Sequence, residues 1–171
     1  MTVGADLFRR SMRRLAASVC IVTAGRPGAP KGGLTATAVC SVSAEPPTLL
    51  CCIDRARPSY MAMLEAKAFG VNVLSYEDRE LASRFARRLP IAEKFGAGIW
   101  RPDTHSPLLE TALAGFDCRL VQHIEVGTHG ILFGEIQDIH LRADEARPLL
   151  YAGGGYGGFT GHEVSAADWT E

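Results

Sequence analysis

The sequence predicts a mainly β protein, an antiparallel sheet or barrel carrying short inserted helices. Three observations predict it. Apolar or alternating runs of strand length recur along the chain, separated by Gly- and Pro-rich turns. Short turns join many of these runs, unlike the regular crossovers of β-α-β units, and helical periodicity is confined to a few separate segments. No internal repeat or low-complexity linker divides the 171 residues, so a single domain over residues 1–171 is expected.

Phe8, Met12 and Leu15 stand at i, i+4 and i+7 opposite a set of arginines, which predicts an amphipathic helix over about residues 5–17. "SVCIVTAG" (18–25) is a short β-rich run, closed by the turn-forming "GRPGAPKGG". "LTATAVCSVSAEPP" (34–47) then alternates almost strictly. Leu34, Ala36, Ala38, Cys40 and Val42 share one face of an extended chain; Thr35, Thr37, Ser41 and Ser43 share the other, interrupted only by Val39. "TLLCCI" (48–53) is continuously apolar, the pattern of a strand covered on both faces. Helices are predicted over about 58–66 and 76–88, with the strand "FGVNVL" between them. "LPIAEKFGAGIWRPDTHSP" (89–107) reads as a long loop, a kind of segment that often carries function. "FDCRLVQHIEVGTHGILFGEIQDIHL" predicts two strands meeting near Gly127–Gly130, and the chain closes with "PLLYAGGGYGGF" and a polar tail.

Composition excludes several classes. A net charge of -1 gives no electrostatic reason to expect nucleic acid or an anionic membrane as partner. No apolar run is long enough to span a bilayer, and the N-terminus lacks the apolar core of a secretory signal. Five cysteines form no C-x-x-C and no zinc spacing; they read as small hydrophobes in a reducing, cytoplasmic setting. His105, His123, His140 and His162 show no mutual ligand spacing, so no metal site is expected.

"GGGYGG" formally contains G-x-G-x-x-G, but no helix of suitable length follows it, so a dinucleotide-binding βαβ unit is rejected. What remains is a glycine loop carrying Tyr156 and Phe159. His129 falls in a predicted turn between glycines, a location where function concentrates, although an exposed loop histidine is the plainer reading. The hydroxyl face of residues 35–43 has an ordinary reading as wet strand surface. Its small side chains also let a flat ligand approach the backbone.

Taken as an ordered set, several segments resemble the flavin reductase-like family, the small NAD(P)H:flavin oxidoreductases that serve two-component monooxygenases. They are "FRRSMRRLAASVCIVTA", "GGLTATAVCSVSAEPPTLLCCI", "RPSYMAML", "FGVNVLS", "LASRFA", "EKF" and "GTHGILFGEI", spanning about residues 7–159. The T-A-T-A-x-x-S-V-S-x-x-P-P segment is the most specific of them. The resemblance implies an FMN-binding split β-barrel, an antiparallel Greek key with short helices, working as a homodimer with a flavin near the subunit interface. It implies that the isoalloxazine ring lies along Thr35, Thr37, Ala38, Val39 and Cys40, contacted largely by backbone. Ser43, Arg57, Ser59 and Lys94 would hold the ribityl and phosphate groups, with Phe85 and Phe95 near the phosphate or adenine end. The family's Gly-Asp-His motif is Gly127-Thr128-His129 here; the resemblance leaves His129 the nicotinamide nucleotide and puts Tyr156 and Phe159 near the nicotinamide.

The implied reaction is hydride transfer from nicotinamide C4 to flavin N5, with the protein supplying orientation and electrostatics. FAD is expected ahead of FMN. NADH is expected ahead of NADPH, because no arginine pair can be assigned to a 2′-phosphate. A separate flavin-dependent monooxygenase would receive the reduced flavin. Two alternatives stand beside this reading: a split-barrel oxidase or oxygenase with tightly bound flavin, of the pyridoxamine-phosphate-oxidase type, and a non-enzymatic binding domain.

Overall fold

The computed structural model describes residues 3–144 and 146–159; His162 and the polar tail lie outside them. In chain order the elements are α1 (Ala5–Met12), β1 (Ala17–Ser18), β2 (Cys20–Arg26), β3 (Ala29–Ala36), β4 (Val39–Ala44) and β5 (Pro47–Asp54). Then come α2 (Pro58–Ala66), β6 (Ala68–Val73), a 3₁₀ turn at Tyr76–Asp78, α3 (Arg79–Ala86) and α4 (Ile91–Phe95). The long hairpin β7 (Ala114–Val126) and β8 (His129–Leu141) follows, and β9 (Leu149–Ala152) and β10 (Gly155–Gly158) complete the set.

Seven strands form one antiparallel sheet in the order β3-β2-β6-β7-β8-β5-β4. Its two edges, β3 and β4, are consecutive in the chain and joined only by Thr37 and Ala38. Three peptide steps reach at most about 11 Å. The sheet therefore has to curl until the joined ends of its edges meet, as in a split barrel, and the seam lies where β3 and the link approach β5 without a ladder. The Cys52 N–H donates to the Ala38 carbonyl at 2.9 Å and pins the link against β5. A smaller sheet, β1-β9-β10, leans on the barrel, and the chain passes from one sheet to the other at Val19.

Apolar side chains collect in two layers. One fills the barrel around Val22, Cys51, Tyr60, Met63, Phe69 and Leu132. The other lies between the barrel wall and α3, around Ile21, Leu74, Leu81, Phe85, Leu109 and Leu149. Glycine is required where the two approach most closely. A Cβ on Gly33 of β3 would stand 2.6 Å from a ring carbon of Phe85, so only glycine lets α3 lie on this strand.

The helix at 58–66 and the two long strands meeting at Gly127–Gly130 form where the sequence predicts them. Other expectations are revised. The first helix ends at Met12, and Phe8, Met12 and Leu15 are exposed on this chain. The "GRPGAPKGG" turn is confined to Pro27–Gly28, because Ala29 onward pairs with β2. The alternating stretch is two strands rather than one: Leu34 and Ala36 are buried in β3, but beyond the link Cys40 and Val42 are exposed and Val39 packs inward. β5 alternates, with Leu49, Cys51 and Ile53 buried and Leu50 and Cys52 half-covered. The long loop contains α4, which Pro90 introduces.

Candidate functional site

The seam opens into a cavity of about 250 Å³. Leu34, Thr35 and Ala36 of β3 and the Thr37–Ala38 link make its bed, with Cys52, Asp54 and Arg57 on one side, Phe85 and Ala86 on another, and His129 at the rim. Thr37 and Ala38 belong to neither strand, and among the described residues their N–H groups have no protein acceptor. The link therefore offers two backbone donors without a protein acceptor, beside alanine and threonine side chains and Leu34. Thr35 is turned away: its hydroxyl donates to the Ala82 carbonyl of α3 at 2.6 Å.

Arg57 and Leu34 also line a second cavity of about 360 Å³, completed by Ser59, Arg88, Leu89, Ile91 and Lys94 among others. Two of its polar residues hold the scaffold. Ser59, buried at the start of α2, accepts the Gly33 N–H at 2.9 Å. Lys94, only 6 % exposed, donates to the Gly33 carbonyl at 2.9 Å and the Phe85 carbonyl at 3.2 Å. Burial, and then the neighbouring Arg57 charge, hold the Lys94 ammonium below its ordinary pKa. Gly33 is thus gripped at both its backbone polar groups, which fixes the bed relative to α2, α3 and α4. Arg57 and Arg88 are the cations in this cavity whose guanidinium groups have no hydrogen bond among the described residues, as an anionic group requires.

His129 opens β8, directly after a two-residue turn in which Gly127 adopts φ +57°. The β5–β8 register sets it opposite Asp54. Thr128 Oγ1 and His129 Nδ1 are 2.9 Å apart, so the hydroxyl that replaces the expected acidic residue holds the imidazole. Arg55 clamps the turn. Its backbone N–H donates to the Thr128 carbonyl at 3.0 Å, Nη1 donates to the Gly127 carbonyl at 3.3 Å, and Nη2 pairs with Glu125 at 2.8 Å. Tyr60 donates to the same carboxylate at 3.2 Å. Burial, followed by that hydrogen bond, raises the Tyr60 pKa.

The structure therefore brings Thr35, Thr37, Ala38, Arg57, Phe85 and His129 to one cavity and Ser59 and Lys94 to its neighbour. Other expected residues lie elsewhere. Val39 packs on the core, and Cys40 is exposed on β4. The Ser43 hydroxyl is bonded to the Glu45 backbone at 3.0 Å. Phe95 stacks with Phe85 and Trp100 at centroid distances of 5.1 and 4.7 Å. Tyr156 lies across α3 in a separate groove, and Phe159 is exposed. Cys52, Asp54, Ala86 and Arg88 were not expected. The half-polar end of β5, "CIDRARP", is the signal that could have indicated the first two. Among the described residues no cluster of His, Cys, Asp or Glu could hold a metal, and no helix is long and apolar enough to cross a membrane.

Comparison with known proteins decides the family: the description of the flavin reductase like domain matches residues 12–160. The chain belongs to this family. This chain's Gly127-Thr128-His129 and Thr35–Ala38 segments lie at the rim and the bed of the seam cavity. Among curated relatives, the NADH-dependent FMN reductase RutF 2 of Methylorubrum extorquens is 43 % identical over 155 residues, which is 90 % of this chain and 89 % of the relative. Among solved structures, nitrilotriacetate monooxygenase component B of Mycobacterium thermoresistibile superposes with a TM-score of 0.87 at 29 % identity, covering 97 % of this chain and 92 % of the other. The NADH:FAD oxidoreductase SgcE6 of Streptomyces globisporus gives 0.84 at 26 % identity, with 94 % and 98 % covered.

Proposed function

We propose that this chain is an NADH-dependent flavin reductase that moves a hydride from NADH to a flavin and releases the reduced flavin to a separate monooxygenase. The observation that carries it is the seam cavity, whose lining combines the Thr37–Ala38 link, with two backbone N–H groups that have no protein acceptor among the described residues, and His129. A bound flavin supplies a ring that accepts hydride. Thr37 and Ala38 hold such a ring by backbone donors, favouring the negative charge it acquires on reduction. Arg57 and Arg88 meet the flavin phosphate. His129, fixed by Thr128 and the Arg55 clamp, orients the nicotinamide nucleotide.

The relative named an FMN reductase is closer in sequence than the one named an NADH:FAD oxidoreductase, which supports FMN ahead of FAD and reverses the order expected from sequence. A separate monooxygenase accords with the component B relative. A second copy of the chain is part of this reading. Val121, Ile124 and Val126 project on a stretch of β7 exposed along its length, and Val42 is exposed on β4.

The test is steady-state kinetics with FMN and FAD, each against NADH and NADPH, on protein first dialysed to constant absorbance. NADH oxidation dependent on added flavin, by a nearly colourless protein, is the expected result. Absence of oxidation with either flavin overturns the proposal. Flavin that stays at one per chain through dialysis favours a fixed prosthetic group. Elution as a dimer in light-scattering chromatography checks the second copy.

A further inference from the structure

His129 has one engaged ring nitrogen and one open one. Nδ1 stands 2.9 Å from the Thr128 hydroxyl, Nε2 has no partner among the described residues, and the side chain lines the seam cavity. Thr128 is itself fixed. Its carbonyl accepts the Arg55 N–H at 3.0 Å, and the preceding Gly127 carbonyl accepts Arg55 Nη1 at 3.3 Å. On a backbone tied at both peptides, a β-branched side chain has few χ1 choices, which keeps the hydroxyl at Nδ1. That nitrogen is the hydroxyl's one partner among the described residues.

We propose that Thr128 is a positioning residue that selects the Nε2–H tautomer of His129, so that the imidazole meets the nicotinamide nucleotide as a hydrogen-bond donor. The inference rests on the flavin reductase reading, which supplies that nucleotide. In a neutral imidazole, the bond made by one nitrogen decides which nitrogen carries the proton. A hydroxyl with no other protein acceptor donates to Nδ1 and leaves the proton on Nε2. A carboxylate in its place only accepts: it draws the proton to Nδ1 and leaves Nε2 a bare acceptor, unless the ring becomes a cation. The other charged groups around the ring do not impose that state. Asp54 stands opposite His129 in the β5–β8 register, and its Oδ1 accepts the Ala56 N–H at 3.0 Å. Glu125 of β7 is held by Arg55 and Tyr60. Arg57, which lines the same cavity ahead of α2, is a cation and favours a neutral ring. The one histidine–carboxylate pair among the described residues is His105 with Asp117. A nicotinamide nucleotide offers acceptors in its carboxamide and phosphate oxygens. With the Nε2–H tautomer, the donor that meets them is present in the neutral and the protonated ring alike.

The test pairs nitrogen–proton correlation spectra of histidine-labelled protein at pH 8 with the KM for NADH measured from pH 6 to pH 9. His129→Gln identifies the His129 signals by their loss. Wild type is expected to show the Nε2–H form and a KM that changes less than about threefold over the range. Thr128→Val mixes the tautomers and raises the KM several-fold with flavin affinity unmoved, and Thr128→Ser, which keeps the hydroxyl, recovers both readouts. Thr128→Asp moves the proton to Nδ1. Its KM then rises about tenfold between pH 6 and pH 9, because only the cationic ring still donates through Nε2. A residue that merely braced the turn would shift the KM equally at every pH. An Nδ1–H signal in wild type, an unchanged tautomer in Thr128→Val, or a level pH profile in Thr128→Asp overturns the proposal. A wild-type protein that oxidises no NADH with either flavin overturns the functional reading instead, and the nitrogen spectra still decide the tautomer.

Discussion

Arg55 Nη2 lies 2.8 Å from Glu125 Oε2, and this pair joins the end of β5 to the strand that leads into the His129 turn. Both side chains are 43 % exposed, so the pair adds little to global stability, on the order of 1 kcal/mol or less. Its effect is local, because the same side chain holds the Gly127 carbonyl. Arg55→Ala is expected to raise the KM for NADH several-fold while flavin affinity and the unfolding midpoint barely move, and Arg55→Lys to restore part of the loss. An unchanged KM removes the clamp from nucleotide binding.

Lys94 behaves oppositely. Its two bonds to buried carbonyls make it a scaffold residue first, so Lys94→Met is expected to cost about 2 kcal/mol, seen as a midpoint lowered by roughly 4–8 °C. Flavin affinity falls only as a consequence of the disturbed bed. Full stability with lost flavin affinity would instead make the ammonium a direct phosphate ligand.

Ala38 and Thr35 are close in sequence and differ in consequence. Ala38→Phe fills the cavity at the bed and is expected to weaken flavin binding at least tenfold with little loss of stability. Thr35→Val removes the hydroxyl that reaches the Ala82 carbonyl and should cost about 1 kcal/mol of stability, with a smaller effect on flavin. Fluorescence titration and chemical denaturation of both variants check the order; the reverse order displaces the flavin from the seam.

Two thiols report the site independently. Cys40 is exposed on β4, away from the cavity, and Cys52 is half-buried within it, where burial raises its pKa. A thiol reagent should label Cys40 quickly and Cys52 slowly, and saturating FMN should slow only Cys52. Equal protection of both thiols contradicts the placement. Mass spectrometry of labelled peptides gives the two rates.

Alkaline pH should unfold the protein through its core. Burial pushes the Cys20 and Cys118 thiols up to about 12 from 9.0, and raises Cys51 as well. Between these values the unfolded chain releases protons that the folded chain retains, so stability falls as pH rises above 9, by about 1.4 kcal/mol per pH unit for each thiol. Lys94, its pKa lowered on folding, works in the opposite sense, as one group against five, since Cys52 and Tyr60 are raised as well. Urea midpoints at pH 8 and pH 10.5 measure the drop, and Cys51→Ala should lessen it, with Cys20 and Cys118 still contributing.

Periodicity made α2, β6 and the β7–β8 hairpin legible, because each is a complete local pattern with its turn residues in place. The break at Thr37–Ala38 was not legible. Alternation runs through it with Val39 as its one interruption, while the chain leaves one edge of the sheet for the other. The role of Gly33 was hidden for a related reason: its partners Ser59, Phe85 and Lys94 lie 26 to 61 residues away. The ordered resemblance located the bed and the rim histidine. It could not tell which hydroxyls and cations are engaged by the protein itself, since that depends on tertiary bonds such as Lys94 to Gly33.

The two-residue link between β3 and β4 closes the barrel covalently, by a strap instead of a ladder. Such a closure has a mechanical consequence. Widening the seam bends a short backbone strap and leaves the hydrogen bonds of both flanking hairpins whole. The wall at the mouth of the cavity is thus held across the link by the Cys52 N–H to Ala38 carbonyl bond, where its other strands are held by ladders. On the proposed function, a ring that enters, is reduced and leaves meets the barrel at this strap.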